Sequence, residues 1–565
     1  MLSIRKIGVI SRTYRHLNRY RHILAVLLKH GFGDLVESLK IDQYLEVGLQ
    51  LITRKRPPRE ERLTRPQRVR MALEELGPTY IKLGQVLSTR PDLIPLEFID
   101  ELAKLQDSVP PFPFAEAEAI LQHELHAPAA ELFEQIGAQP VASASIAQVH
   151  RARLKSGEEV AVKVRRPGIR AIVEVDLEIM LHLATLAERH VEELALHRPV
   201  KIVEEFARTL EKELDFCIEA TNIERIAQGF LDDPTLYIPA VHRELSTAAV
   251  LTTEYVDGIK ISSVELLDAA GHDRRALCAR GADIVLKQVF RHGFFHADPH
   301  PGNIFALPGD VICLVDFGMV GVVDRQTRER FAELVDAVVR RNESRAAQVL
   351  LQLTQWDQPP ELRELERELA DFMGRHLYRP LGEIEVGRLL RDLLDIATRF
   401  RLRMPPDIFL MLKSIGTVEA VGRLLDPGFD MVARAAPFIE QVMAERFKPQ
   451  RVAEDAGDLA LRLLQFLHQF PKDLLELAGQ LRQQKLALTL RHEGLDKMLA
   501  THDRISNRIS FAIIIAALVV GSALIVISKT PPLFYGISLI GIIGFLAAAL
   551  MGVWLLVAIL KKGKL

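Results

Sequence analysis

Four side chains between residues 296 and 316 have the types and order needed to move a phosphoryl group. His296-Ala297-Asp298 is followed by Asn303, five residues past the Asp. Thirteen residues later, behind the apolar run Val311-Ile312-Cys313-Leu314-Val315, comes Asp316-Phe317-Gly318. In such an order the first Asp orients or deprotonates an acceptor, while the Asn and the second Asp hold Mg²⁺ against nucleotide phosphates. A second reading stays open at this point, with His296, Asp298 and His300 as the metal trio of a hydrolase. Asp-Phe-Gly by itself would be an ordinary turn.

A phosphotransfer site also needs a lysine for the phosphates and a carboxylate behind it. The texture from Pro140 is β, with Gln148 to Leu154, a Ser156-Gly157 turn, and Glu159 to Val164. Val160-Ala161-Val162-Lys163 matches the protein-kinase Val-Ala-Ile-Lys strand, which makes Lys163 the candidate for the phosphates of ATP. Helical sequence over 199–229 offers Glu211, Glu213, Asp215 and Glu219. On one regular helix Glu213 and Glu219 stand about 240° apart, so they have different jobs, and Glu219 is the expected partner of Lys163. Val250 to Gly258 fits a last strand and hinge, where the backbone at Glu254 and Val256 would meet the adenine edge. After Gly318 the kinase pattern stops. No Ala-Pro-Glu follows, and helix-like sequence begins by about Arg325.

The elements that position these residues are bounded by length and composition. A chain of 565 residues exceeds one core. Its 48% hydrophobic content points to membrane-embedded sequence, and its net charge of −2 gives no reason to expect nucleic acid as a partner. Cys217, Cys278 and Cys313 form no metal-binding spacing and are expected to be buried thiols in a reducing compartment. The first 33 residues carry seven Lys/Arg and no acid, which suits an anionic membrane surface or a solvated helix. The expected division is a basic segment at 1–65, a helical extension at 66–136, an N-terminal lobe at 137–256, a helical C-terminal lobe at 257–440 and a linker at 441–505. A two-helix transmembrane hairpin over 506–562 completes it. Ile509 to Ser528 and Leu533 to Leu560 are uncharged, each long enough to span a bilayer. Arg504, Arg508 and Lys561, Lys562, Lys564 put both ends in the cytoplasm. Ala517/Gly521 and Gly544/Ala548 are small-residue pairs suited to close helix packing.

Together these residues resemble the UbiB family of atypical, protein-kinase-like proteins. Lys82-Leu83-Gly84-Gln85 is similar to its KxGQ motif, and Val141 to His150 looks like its Ala-rich loop. Glu213-Leu214-Asp215 fits its ExD motif, and Glu219 then takes the place of the helix-αC glutamate. The resemblance implies a bilobal α+β kinase-like fold with an N-terminal helical extension and a C-terminal two-helix transmembrane hairpin. It implies ATP and Mg²⁺ as cofactors, with Ala142, Ser143, Ala144 and Ser145 over the phosphates where typical kinases use glycines. It makes Asp298, Lys163 and Glu219 catalytic, Asn303 and Asp316 metal-binding, and Lys82, Gln85, Glu213 and Asp215 a gate over the groove where a kinase receives peptide. The expected activity is ATP turnover supporting isoprenoid quinone biosynthesis at a bacterial inner membrane, with the bilayer, quinone precursors and biosynthetic enzymes as partners. A non-catalytic scaffold and a small-molecule or protein kinase remain alternatives.

Overall fold

The computed structural model describes residues 14–39, 63–90, 93–105, 109–191, 198–356, 358–376, 385–446, scattered positions over 448–461, 463–472, 495–534 and 537–562. The chain divides into two compact units, 1–455 and 456–565.

The larger unit is a bilobal, protein-kinase-like α+β fold. Its N-terminal lobe is built on an antiparallel sheet of order β1 (Phe133–Ile136), β3 (Ala147–Leu154), β4 (Glu159–Arg165) and β6 (Val250–Glu254), with β2 (Ala142–Ser143) paired to β3. Val160, Val162 and Val164 are fully buried against Ala117, Leu121, Phe133 and Val250. Each such valine contributes roughly 1.5–3 kcal/mol. The period of two then turns Ala161, Lys163 and Arg165 to the opposite face. Ala117 and Leu121 come from the Phe114–Leu125 helix. Residues 114–136 therefore pack with this lobe, and a boundary at 137 cuts through it.

In the C-terminal lobe, β5 (Leu236–Tyr237), β10 (Val311–Leu314), β9 (Ile304–Leu307) and β7 (Ile259–Lys260) form a second sheet. β8 (Phe294–His296) pairs with β11 (Val320–Val322) and holds the Asp298 and Asp316 loops side by side. The Arg274–Leu286 and Pro406–Leu425 helices bury most of their length in this lobe. The Arg325–Val339 helix starts seven residues past Gly318, where Asp324 accepts the Thr327 N–H at 2.8 Å. That cap leaves no length for an activation segment.

The N-terminal helix departs from expectation. Tyr14–Lys29 buries Tyr20, Ile23, Leu24 and Val26 in the main core with Leu73 and Leu76 of the Arg65–Leu76 helix. Arg19 pairs with the fully buried Asp176 at 2.6 Å. Its apolar face is therefore spent on the protein, not on lipid, and the helix is not simply solvated. The remainder of the basic segment expected at 1–65, residues 1–13 and 40–62, lies outside the described residues. The thiols also differ from the uniform expectation. Cys278 and Cys313 are buried and pushed up to about 12 by burial, whereas Cys217 is half-buried.

In the smaller unit the helices Leu495–Ile527 and Leu539–Lys562 pack as a hairpin. Ile505–Ile527, with mean hydropathy 2.8, is long and apolar enough to cross a membrane. Leu539–Leu555 is a shorter apolar stretch among the described residues. Ile513, Leu524, Leu546 and Leu550 are exposed along the pair, an arrangement unsuited to water. A Cβ on Gly544 would collide with Ser522, and one on Gly541 with Val526. Gly521 meets nothing within 4 Å, so the close approach uses Gly541 and Gly544 rather than the Ala517/Gly521 pair.

Candidate active site

Lys163, on the cleft face of β4, is the centre of the site. Its Nζ lies 2.8 and 2.9 Å from the two Glu219 oxygens and 3.2 Å from Asp316 Oδ1. Burial opposes the ammonium charge, but Asp316 and Glu219 outweigh it and hold the Lys163 pKa above the ordinary lysine range. Lys163 in turn holds the Asp316 carboxyl well below the usual carboxylate range, and Lys82 adds to the effect. Burial pushes the Glu219 carboxyl the other way, above the usual carboxylate range, with Lys163 opposing the shift.

Glu213 and Glu219 do not share one helix, contrary to expectation. Residues 199–229 are two helices, Pro199–Glu213 and Phe216–Gly229, so no single helical wheel relates Glu213 to Glu219. Asp215 caps the second helix, its Oδ1 accepting the Cys217 N–H at 3.0 Å. That cap sets Glu219 in the first turn, pointing at Lys163. Asp215 thus serves as the cap of the helix that carries Glu219. Glu213, at the end of the first helix, meets Lys82 at 3.4 Å.

Asp316 has φ +60°, a left-handed conformation that costs a non-glycine residue roughly 1 kcal/mol or more. The residue after it explains how this is held. Phe317 is buried beside His296, with ring centroids 5.2 Å apart, and its carbonyl accepts from Asn222 Nδ2 at 3.1 Å. Phe317 is locked inward, so the Asp316 carboxylate is turned out to the cleft.

His296 is fully buried, and both ring nitrogens are occupied by backbone. Nδ1 accepts the Asp298 N–H at 3.1 Å and Nε2 donates to Val315 O at 3.2 Å. Burial lowers its pKa, in keeping with a neutral ring that fastens one loop to the other. His300 Nδ1 accepts the Gly302 N–H at 3.1 Å. A His296–Asp298–His300 metal trio is thereby excluded in this arrangement. Among the described residues no three His, Cys, Asp or Glu side chains cluster as metal ligands. Asn303 donates to Asp298 O at 3.4 Å, and its own carbonyl accepts the Val315 N–H at 3.0 Å.

Asp298 has a partner that sequence reasoning missed. Lys413 Nζ lies 3.1 Å from its Oδ1, and the neighbouring Ser414 Oγ donates to His296 O at 3.0 Å. Both sit on the Pro406–Leu425 helix, 115 residues or more beyond the loop they hold. A signal was available, since Lys413 is one cation inside the apolar run Ile408-Phe409-Leu410-Met411-Leu412 to Ile415. A charge in a buried stripe calls for a partner.

The Ala-rich loop is closed by Arg166, another residue the sequence did not mark. Its Nε donates to Ala144 O at 2.8 Å, and its Nη2 to Pro110 O and Ser143 Oγ at 2.8 and 2.9 Å. The Ser143 hydroxyl donates to Val109 O, and Ser145 is fully buried. Neither serine side chain is presented to a ligand, contrary to expectation; Ala142 is exposed and Ala144 half-buried. At the hinge, the Glu254 carboxylate accepts from Tyr237 OH at 2.6 Å, which commits that side chain to β5. The Glu254 and Tyr255 N–H groups bond Ala240 O and Glu159 O, and Val256 N–H has no backbone partner among the described residues.

The Pro78–Leu87 helix carries Lys82 to Glu213 and Gln85 to Leu105 O, at 3.3 Å. Gly84 lets this helix approach its neighbours, because a Cβ there would collide with Leu105 and Leu73. Gly84→Ala is expected to destabilise the chain by about 1–3 kcal/mol through overpacking. An unchanged thermal unfolding midpoint would show that the two leucines repack freely.

A bilobal fold with a strand lysine, its helix carboxylate and two loop aspartates around one cleft defines a protein-kinase-like domain. Family comparison sharpens this. The chain matches the ABC1 atypical kinase-like domain over residues 104–350, the UbiB helical domain over 369–430 and the ABC1/UbiB kinase-like C-terminal domain over 493–561. It is 40% identical to "Probable protein kinase UbiB" of Marinobacter nauticus, over 69% of this chain and 72% of that one. The corresponding protein of Aliivibrio fischeri is 37% identical over 77% and 81%. An "Uncharacterized protein in hydrogenase 1 5'region" of Clostridium pasteurianum is 32% identical over 97% and 99%. The chain belongs to the ABC1/UbiB family of atypical kinase-like proteins.

Proposed function

We propose that this protein binds ATP with Mg²⁺ and turns it over at a membrane, in support of isoprenoid quinone biosynthesis. The observation that carries the reading is the set Glu219–Lys163–Asp316, closed within 3.2 Å and facing a loop whose Asp298 is itself met by a lysine. The donor set suits the cofactor. One carboxylate and one amide, Asp316 and Asn303, fit a hard cation that keeps waters and takes phosphate oxygens as further ligands. When bound, Mg²⁺ would neutralise charge between the phosphates and Asp316.

The residues then divide the work. Lys163, backed by Glu219, would hold phosphate oxygens. The Val256 N–H is available to an adenine edge. Asp298 would accept a proton from the attacking hydroxyl or water, with Lys413 fixing the carboxylate in place. The Pro78–Leu87 helix, carrying Lys82 to Glu213 near Asp316, leaves a water or small hydroxylated acceptor as a better fit than a peptide. The quinone pathway rests on the likeness to UbiB relatives, and quinone precursors and biosynthetic enzymes are the partners it implies. Nucleic acid is not among them.

Purified full-length protein should release phosphate from ATP only with Mg²⁺. Lys413→Met should reduce turnover about tenfold with little change in nucleotide affinity, and Lys413→Arg should recover part of it. Equal losses of affinity and turnover in Lys413→Met would reduce this residue to a structural strut. No Mg²⁺-dependent turnover, with or without lipid, would reject the enzymatic reading.

The apolar hairpin would anchor the kinase-like unit to a bacterial inner membrane, crossing twice with the catalytic unit in the cytoplasm. Deleting residues 505–565 should leave the protein extractable by carbonate or high salt. A truncated chain that resists both would require another anchor.

A further inference from the structure

We propose that the C-terminal lobe carries a second, non-catalytic site for a phosphate-bearing ligand. A cavity of about 400 Å³ opens where the π-turn Lys287–His292, the first turns of the Arg325–Val339 helix and residues just past the Met431–Arg446 helix meet. Five cations line it: Arg291, Arg325, Arg328, Lys448 and Arg451. Only Glu329 and Glu445 oppose them, which leaves the lining at +3 in a protein whose net charge is −2.

The carboxylates are already engaged. Glu329 lies 3.0 Å from Arg325 and 3.5 Å from Arg451, and Glu445 lies 3.5 Å from Lys448. Arg328 has no acid within ion-pair distance among the described residues. Its Nη1 instead donates to Phe290 O and Arg291 O, both at 2.8 Å, and its buried Nε has no hydrogen-bond partner. Burial, with Arg325 nearby, lowers its pKa. Asp324, Glu329 and Glu445 offset this only in part, and a multivalent anion would offset the rest of a partly buried guanidinium's cost. Several Arg forks around one cavity suit a tetrahedral, doubly charged phosphate better than a single carboxylate. Phe290 and Val442 give the cavity an apolar wall that would take the carbon part of a small phosphate ester. The ligand thus reaches the turn that leads, through β8, to Asp298.

The source could be a soluble phosphate ester or a phospholipid headgroup, and the test separates them. Full-length protein in neutral detergent is titrated with inorganic phosphate, glycerol phosphate and phosphatidylglycerol in mixed micelles. Wild type is compared with Arg291→Glu/Lys448→Glu, which changes two exposed side chains and leaves the Arg328 anchor intact. Any phosphate binding in the nucleotide cleft is common to both proteins and cancels. Affinity for at least one probe should fall about tenfold or more in the variant. Loss confined to phosphatidylglycerol identifies a headgroup, and loss for the soluble esters identifies free phosphate. Equal affinity of both proteins for every probe means an adventitious ion only and overturns the proposal. Should the variant misfold by circular dichroism, Arg291→Gln alone, with an expected severalfold loss, serves as the readout.

Discussion

Asp298→Asn should lower ATP turnover by about 10²–10⁴-fold while nucleotide affinity and thermal stability stay close to wild type. The substitution keeps size and one acceptor oxygen, so the N–H bond to His296 and a neutral contact with Lys413 survive. What disappears is the charge that draws a proton from the attacking group. Lys413 is left without a counter-ion in a partly open site, a cost water meets in large part. The same variant separates catalysis from scaffolding in cells. A strain lacking the gene should lose its isoprenoid quinone, and wild type should restore it. Restoration by folded, membrane-bound Asp298→Asn protein would rule out the catalytic reading.

Asp316→Asn should abolish Mg²⁺-dependent nucleotide binding. In the resting site Lys163 divides its charge between Glu219 and Asp316. A cation held by Asp316 would compete with Lys163 for that carboxylate and would free the lysine for phosphate oxygens, which would couple metal and nucleotide binding. The Asn variant removes the anionic metal ligand and with it that coupling. Calorimetry with and without Mg²⁺ should show a wild-type affinity at least about tenfold higher with the metal, and no such difference in the variant. Equal ATP affinity in all four measurements would sink the metal assignment.

The loops of the candidate site were legible because they are local. Asp298, Asn303 and Asp316 lie on the two loops that flank the β9–β10 pair, where chemistry imposes residue types at fixed offsets. Lys163 was legible because alternation in β4 buries Val160, Val162 and Val164 and leaves the lysine facing the cleft. The break between Glu213 and Phe216 was not, because Glu-Leu-Asp-Phe contains no Gly or Pro and the cap depends on a single Asp side chain. Lys413, Asn222 and Arg166 were missed for a different reason. Each acts across a fold-level contact that spacing along the chain does not encode. The N-terminal helix shows the same limit, since amphipathicity announces that a face will be buried without saying against what.

The docking of that first helix also sets a schedule for synthesis. Arg19 closes on Asp176, 157 residues later in the chain. At roughly 5–20 residues per second, a ribosome needs about 8–30 s to make the intervening chain. This helix therefore waits for part of its seat, and during that interval the side chains that pack on later elements are open to chaperones and lipid alike.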